Sequence, residues 1–309
     1  MTQPGSGAGR ASTKVGFVGM GHMGSSMTRR LLAAGYPVTV YDRTAARAEE
    51  LTKQGATAAA TPRELASGSE VVMVCVTNDD AQRAVMFGPD GALAGLSPGS
   101  TVIDLSTVSP DASRRLHHAA GEKGASMIDA AVSGSVAQVE QGSLVIFVGG
   151  EIETYQGAKP FLDALGHQSF YIGTSGMGTT MKLVVNTLLG LGVQALAESI
   201  ALGEKAGIDK GLMLDVLGQT YVLSSSQKSK LDNVRREQYP ANFALALMNK
   251  DFDLVLREAH ELSVAMPATA AAQQMSAAAT AAGLEGDFSI MIKFMANLAA
   301  AAPLQRKQP

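Results

Sequence analysis

Three glycines at fixed spacing, in Gly19-Met20-Gly21-His22-Met23-Gly24, constrain this chain more than any other feature. They follow a short apolar strand, Lys14-Val15-Gly16-Phe17-Val18, and open a helical stretch over residues 24 to 34 that Gly35 closes. A strand, a glycine loop and a helix in that order begin a βαβ unit. The glycines let the backbone turn tightly and approach a pyrophosphate. The helix N-terminus then faces the anion with free N–H groups and the positive end of its dipole. The pattern predicts a dinucleotide cradle formed by Gly19, Met20, Gly21, His22, Met23 and Gly24. The competing reading is a plain strand-to-helix turn.

Strands and helices keep alternating after this unit. Val38 to Asp42 reads as a second strand, residues 45 to 54 as an amphipathic helix ended by Gly55, and residues 56 to 58 as a short third strand. Pro62 starts a helix at its first turn. Val71 to Val76 is continuously apolar, as in a parallel sheet covered on both faces. Val102 to Leu105, Ser126 to Asp129 and Leu144 to Val148 follow as strands. The alternation predicts a Rossmann-type doubly wound α/β domain over residues 14–175. From Met177 onward the pattern is helical throughout, which predicts an all-α domain over residues 176–302. Residues 1–13 and 303–309 read as tails.

The chain has 309 residues, 46% of them hydrophobic, enough for about two cores. A net charge of -3 and the lack of any Lys/Arg run argue against a nucleic-acid partner. The apolar runs are broken by charges or glycine before they reach spanning length, so no membrane segment is expected. The single cysteine, Cys75, reads as a buried strand residue, and a cytoplasmic setting is the expectation. The first helix of the α domain, roughly 179 to 206, is apolar nearly all round. Packing between subunits would bury it, so an oligomer is expected.

That helix carries Lys182 within Met181-Lys182-Leu183-Val184-Val185-Asn186-Thr187-Leu188. Taking a lysine charge out of water is costly unless it is paired or its pKa falls, and a lysine so shifted is a candidate acid/base. Asn186 lies one turn on, on the same face, and can hold it by a hydrogen bond. The alternative is a lysine that snorkels along the helix surface. At the end of the second strand, Asp42 stands where an acid binds the ribose hydroxyl of NAD, whereas Arg43, Thr44 and Arg47 suit the extra phosphate of NADP. The Arg43–Thr44 pair favours NADP. Ser133-Gly134-Ser135 form a turn whose N–H groups suit a carboxylate, or an ordinary loop. Asn249-Lys250-Asp251 read as a charged lead-in to a helix beginning near Phe252. The five histidines (His22, His117, His118, His167, His260) fall in no metal-binding spacing, and His117-His118 read as surface residues.

Together these segments resemble the β-hydroxyacid dehydrogenase family over about residues 14 to 300. The resemblance rests on Gly19, Gly21 and Gly24, on Asp129-Ala130-Ala131-Val132-Ser133-Gly134, on Gly176-Met177-Gly178 through Lys182 and Asn186, and on Lys250-Asp251. The family pattern has proline where this chain has Ala131. Within the family the chain looks most like the glyoxylate/succinic semialdehyde reductases. It departs from that branch at Asp42, where the branch carries asparagine, and at Ala246, where it carries lysine. 3-Hydroxyisobutyrate dehydrogenases proper are the nearest alternative. Imine reductases usually lack the lysine. Decarboxylating 6-phosphogluconate dehydrogenases carry histidine where this chain has Val185. A non-catalytic dinucleotide-binding scaffold is the reading from another class.

The resemblance implies an NAD(P)-dependent oxidoreductase acting on a small aldehyde or hydroxy acid without a metal. In it Lys182 is the proton donor and Asn186 orients that lysine or the substrate. Ser133, Gly134, Thr107, Phe243 and Asp251 line the substrate. Thr77, Thr107, Lys250 and the Asp42-Arg43-Thr44 turn join the glycine loop around the cofactor. A homodimer or homotetramer through the helical domain is implied as well.

Overall fold

The computed structural model describes residues 12–301. Apart from Ser12 and Thr13, the expected tails lie outside the described residues. The chain divides into two compact units, with the boundary between Lys182 and Leu183.

The first unit alternates strand and helix: β1 (Val15–Val18), α1 (His22–Ala33), β2 (Val38–Tyr41), α2 (Ala45–Thr52), β3 (Thr57–Ala58), α3 (Pro62–Ser67), β4 (Val71–Val74) and α4 (Asp79–Met86). After a 3-10 turn come β5 (Thr101–Asp104), α5 (Pro110–Gly121), β6 (Ser126–Ser133), α6 (Val136–Glu140), β7 (Leu144–Gly150), α7 (Ile152–Leu165) and β8 (Gly166–Gly173). The sheet order is β3-β2-β1-β4-β5-β6-β7-β8, so the chain reverses direction between β1 and β4. In a sheet of this kind the crevice at that reversal, beyond the carboxyl ends of the strands, is where ligands bind.

Local chemistry explains the order. β1 and β4 are buried along their whole length. Val15, Phe17, Val71 and Met73 enter one core with Met27, Leu31 and Leu51 from the helices. Val18, Val72 and Val74 enter a second core with Leu65, Met86 and Leu116. Successive strand residues point to opposite faces, so a continuous apolar run requires helices on both sides. The loops turn sharply because capping groups start the next helix. Thr61, Asn78 and Ser109 accept the N–H groups of Glu64, Ala81 and Ala112.

Two strand features differ from the sequence reading. β6 runs four residues past Asp129 and pairs antiparallel with β7, the one antiparallel pair in the sheet. β8, which no apolar alternation announced, pairs with β7 at the sheet edge, with most of its side chains exposed. Edge strands carry little burial, and burial is what creates the pattern.

The long helix α8 (Met177–Ala206) begins in the first unit and continues into the second. It is followed by α9 (Lys210–Gln219), α10 (Ser225–Arg236), α11 (Leu245–Glu261), α12 (Pro267–Ala281) and α13 (Ile290–Ala301). Val193, Leu196, Ile200, Leu231, Val234, Met248 and Phe252 form the main core of this second unit. α11 starts well before Phe252. Leu245, Met248, Phe252 and Val255 run at helical spacing straight through Lys250-Asp251, so the charges lie inside the helix rather than before it.

By length and composition α8 does reach membrane-spanning size, with mean hydropathy 1.5 in its most apolar window, 44% of it buried inside the protein. The expectation that no run is long enough is corrected on that count. Few charges interrupt the helix, and the core helix of a soluble protein passes the same test.

The start of α8 packs on the sheet through glycines. A side-chain carbon on Gly178 would collide with the Phe147 carbonyl, and one on Gly149 would lie 2.8 Å from the Gly178 nitrogen. Gly178→Ala should therefore destabilise the protein by about 1–3 kcal/mol. Urea denaturation would measure this, and an unchanged midpoint would contradict the close packing.

Candidate active site

The glycine loop between β1 and α1 is shaped by backbone contact. Gly19 has φ +100°, and a side chain there would strike the Cys75 carbonyl. A side chain on Gly24 would strike the Gly19 carbonyl. Gly21, by contrast, has nothing within 4 Å of its missing side chain, so the middle of the loop is open. α1 has no side-chain cap and no acid in its first turn, so its leading N–H groups and dipole are not neutralised. An open cradle at an uncapped helix start fits a pyrophosphate. Met20 is buried, Met23 half-buried and His22 exposed at the first position of α1.

Asp42 makes two contacts that the sequence does not announce. Its Oδ2 accepts the Met20 N–H at 2.7 Å, and its Oδ1 accepts the Thr44 N–H at 2.8 Å. The carboxylate ties the glycine loop to the turn after β2. Arg47 stands 3.9 Å from the same carboxylate, and Arg43 and Thr44 are exposed beside it.

The loops after β4 and β5 are joined. Ser106 Oγ accepts the Val76 N–H at 3.0 Å, and Asp104 Oδ1 accepts the Ser106 N–H at 3.0 Å. Gln82 donates to Asp104 Oδ2 at 2.6 Å. One helical turn earlier, at the start of α4, Asp79 accepts both the N–H and hydroxyl of Ser109. These bonds hold Thr77, which is exposed, and Thr107, which is half-buried, on neighbouring loops. Burial raises the Asp104 carboxyl above its ordinary range, against its hydrogen bonds, and Asp129 on the adjoining strand raises it further. Cys75 lies just past the end of β4 rather than in it, partly buried against the core. Its thiol is pushed up to about 12 by desolvation and by Asp104, which leaves it unreactive.

Asp129 is the residue whose importance sequence reasoning missed. In the sequence it stands only as the first residue of the Asp129–Gly134 run. Its Oδ1 accepts the Gly176 N–H at 2.7 Å and its Oδ2 the Thr179 N–H at 2.8 Å. A buried carboxylate on β6 thus caps the start of α8. Gly176, at φ +89°, makes the turn into that helix. Lys182 follows in the second turn with only 8% of its surface accessible. The lysine is buried and does not snorkel to the surface.

Ser133 is half-buried at the end of β6, and Gly134 is exposed at φ +140°. The following turn is less open than expected, because the Ser135 N–H donates to Gln138 Oε1 in a capping box for α6. His117 is also less exposed than expected: it is half-buried, with Nδ1 3.2 Å from the Met127 carbonyl. Among the described residues, no group of three or more His, Cys, Asp or Glu side chains is arranged to hold a metal ion.

In the second unit Asn186, Lys250 and Asp251 come together. Asn186 is 1% accessible, and its amide donates to Asp251 Oδ2 at 2.5 Å. That donation to Asp251 was not foreseen, and Asn186 Oδ1 has no hydrogen-bond partner. Lys250 Nζ lies 2.8 Å from Asp251 Oδ1, an ion-pair distance, although Oδ1 accepts no aligned hydrogen bond. Asp251 is 2% accessible, so these charges are no solvated helix start. The Asn186 Oδ1 is thus a buried acceptor that a further donor would satisfy. Phe243 lies in the same unit, half-buried before α11.

A strand–glycine loop–helix at the reversal of a doubly wound sheet is the architecture of a dinucleotide-binding domain. Comparison with known proteins agrees. Residues 14–181 match the NAD-binding domain of 6-phosphogluconate dehydrogenase, and residues 176–295 match the NAD-binding domain of NADP-dependent 3-hydroxyisobutyrate dehydrogenase. Glyoxylate/succinic semialdehyde reductase 1 of Arabidopsis thaliana is 34% identical over 281 residues, covering 91% of this chain and 97% of the relative. 2-(Hydroxymethyl)glutarate dehydrogenase of Eubacterium barkeri is 33% identical over 284 residues, covering 91% and 94%. The crystal structure of 3-hydroxyisobutyrate dehydrogenase from Salmonella typhimurium superposes with a TM-score of 0.84 at 31% identity, covering 92% of this chain and 100% of that one. The chain belongs to the β-hydroxyacid dehydrogenase family, and its cofactor is NADP or NAD.

The raised Asp104 carboxyl has a signed consequence. Its folded pKa lies above the unfolded value, so its contribution to stability is present below about pH 4 and is lost as pH rises through the folded pKa. Urea midpoints measured across pH should show the wild type losing stability relative to Asp104→Asn as pH rises. Parallel profiles would contradict the assignment.

Proposed function

We propose that this protein reduces a short aldehyde acid of the glyoxylate or succinic semialdehyde type to the hydroxy acid, with Lys182 as the proton donor. The observation that carries the reading is the burial of Lys182 in the second turn of a helix whose start is held by Asp129. A fixed, desolvated ammonium gives directional proton transfer that a solvated one does not.

Bound reduced nicotinamide supplies the hydride. Lys182 holds the proton on Nζ and releases it to the carbonyl oxygen as that oxygen gains charge, leaving a neutral amine that solvent reprotonates. Ser133 and the Gly134 backbone hold the substrate carboxylate. Thr107 orients the reacting end, and Phe243 excludes water. Asn186, held by its hydrogen bond to Asp251, orients the substrate or the lysine through its unpartnered Oδ1. Holding the carbonyl in one orientation supplies much of the rate.

We take NADP as the preferred cofactor. Asp42 already accepts two backbone N–H groups, so the nearby cations Arg43 and Arg47 are left to meet an extra phosphate. The protein works as a homo-oligomer in this reading. Leu188 and Leu202 on α8, and Ile208, Leu212 and Val216 around α9, are exposed large apolar side chains that a second copy would cover.

The test is cofactor oxidation with NADPH and NADH against succinic semialdehyde, glyoxylate and methylmalonate semialdehyde. Lys182→Ala should lower turnover by about 10²–10⁴-fold while NADPH binding is retained. A variant that keeps its turnover, or a wild type that reduces none of the three, would refute the reading.

A further inference from the structure

The second unit buries an ion pair that the proposed chemistry does not use. Lys230 Nζ lies 2.8 Å from Asp287 Oδ2, and the two side chains are 8% and 0% accessible. Desolvating two charges is expensive, and an apolar pair of similar volume often serves stability equally well. The pair therefore calls for a role besides stability.

Its surroundings supply one. Asp287 Oδ2 also accepts the Phe243 N–H at 3.0 Å, while Oδ1 accepts the N–H and hydroxyl of Ser289 at 3.0 and 2.6 Å. Asn233 donates to that hydroxyl at 3.2 Å. The Asp287 N–H donates to the Tyr239 carbonyl, and the Phe288 N–H to the Phe243 carbonyl, both at 2.9 Å. Ala244 and Asp287 form an isolated antiparallel bridge. The Phe243 ring meets Phe288 edge-on at 5.6 Å, and the Lys230 ammonium sits 5.0 Å from the centre of the Phe288 ring. Both backbone polar groups of Phe243 and its ring are thus fixed by residues 287 and 288, which Lys230 holds in turn.

We propose that the buried Lys230–Asp287 pair is a positioning device: it sets the segment from Tyr239 to Ala244 and so places Phe243 for the substrate. This rests on the reductase reading above. Lys230 and Asp287 touch no substrate in this proposal and act only through Phe243. An apolar pair can fill their volume but cannot accept the Phe243 N–H, so stability and placement separate on substitution.

The test uses the full chain as Lys230→Met and as Lys230→Met/Asp287→Leu, which restores an apolar fit should the single variant fold poorly. Melting temperature, amide exchange of residues 239–245, and the KM values for aldehyde and NADPH are measured together. The expected result is a double variant that still folds, although the Phe243 and Ser289 donors lose their acceptor. It should show faster exchange in residues 239–245, an aldehyde KM raised about tenfold and an NADPH KM unchanged. A lowered melting temperature with exchange and both KM values intact would mean a structural role only and would overturn the proposal. A wild type that reduces no aldehyde would overturn the activity and the substrate role of Phe243 with it. Unchanged exchange in an active enzyme would overturn the positioning role alone.

Discussion

The Asp129 carboxylate, wedged between the central sheet and the start of α8, is the interaction on which the rest of the candidate site depends. Each oxygen takes one backbone N–H, from Gly176 and Thr179, so two donors at the helix start are satisfied by a side chain from β6. Gly178 and Gly149 let helix and strand come close enough for those bonds to form. Lys182 is carried on the next turn, where burial and a rigid backbone fix its position. The placement of Lys182 is thus an outcome of strand–helix geometry rather than of its own sequence neighbours.

The parts of the fold with strong burial could be read from sequence. β1 and β4 are apolar on both faces because helices cover both, and the glycine loop stands where backbone meets backbone. Lys182 stood out because a charge in an apolar helix is costly. What escaped detection carries weak or non-local signals. β8 lies at the sheet edge with little burial, so it shows no alternation. Lys250-Asp251 looked like a helix lead-in, and only the apolar spacing from Leu245 onward places it inside α11. The role of Asp129 depends on residues 47 and 50 positions away, which no local pattern can reveal. The tie between Asp42 and the Met20 and Thr44 N–H groups is likewise a property of the folded loops.

Buried charge recurs in both units with a common logic. Asp42, Asp104 and Asp129 each accept backbone N–H groups near the carboxyl ends of strands, and each joins segments that carry candidate site residues. In the helical unit Asp251 accepts the side-chain amide of Asn186, and Asp287 accepts the Phe243 backbone N–H. A carboxylate can take several donors at once, so one residue fixes two segments of chain. Such networks specify geometry more than they add stability. A family whose members turn over related small acids on one scaffold needs that kind of fixed placement.

The most direct test of this account is the turnover of Asp129→Asn beside its NADPH affinity. Asparagine keeps the size of the side chain but has only one acceptor oxygen, so one of the two N–H groups at the start of α8 loses its partner. The account predicts that kcat falls while NADPH binding stays unchanged, because the glycine loop is untouched. Turnover equal to that of the wild type would contradict the claim that Asp129 sets the position of Lys182.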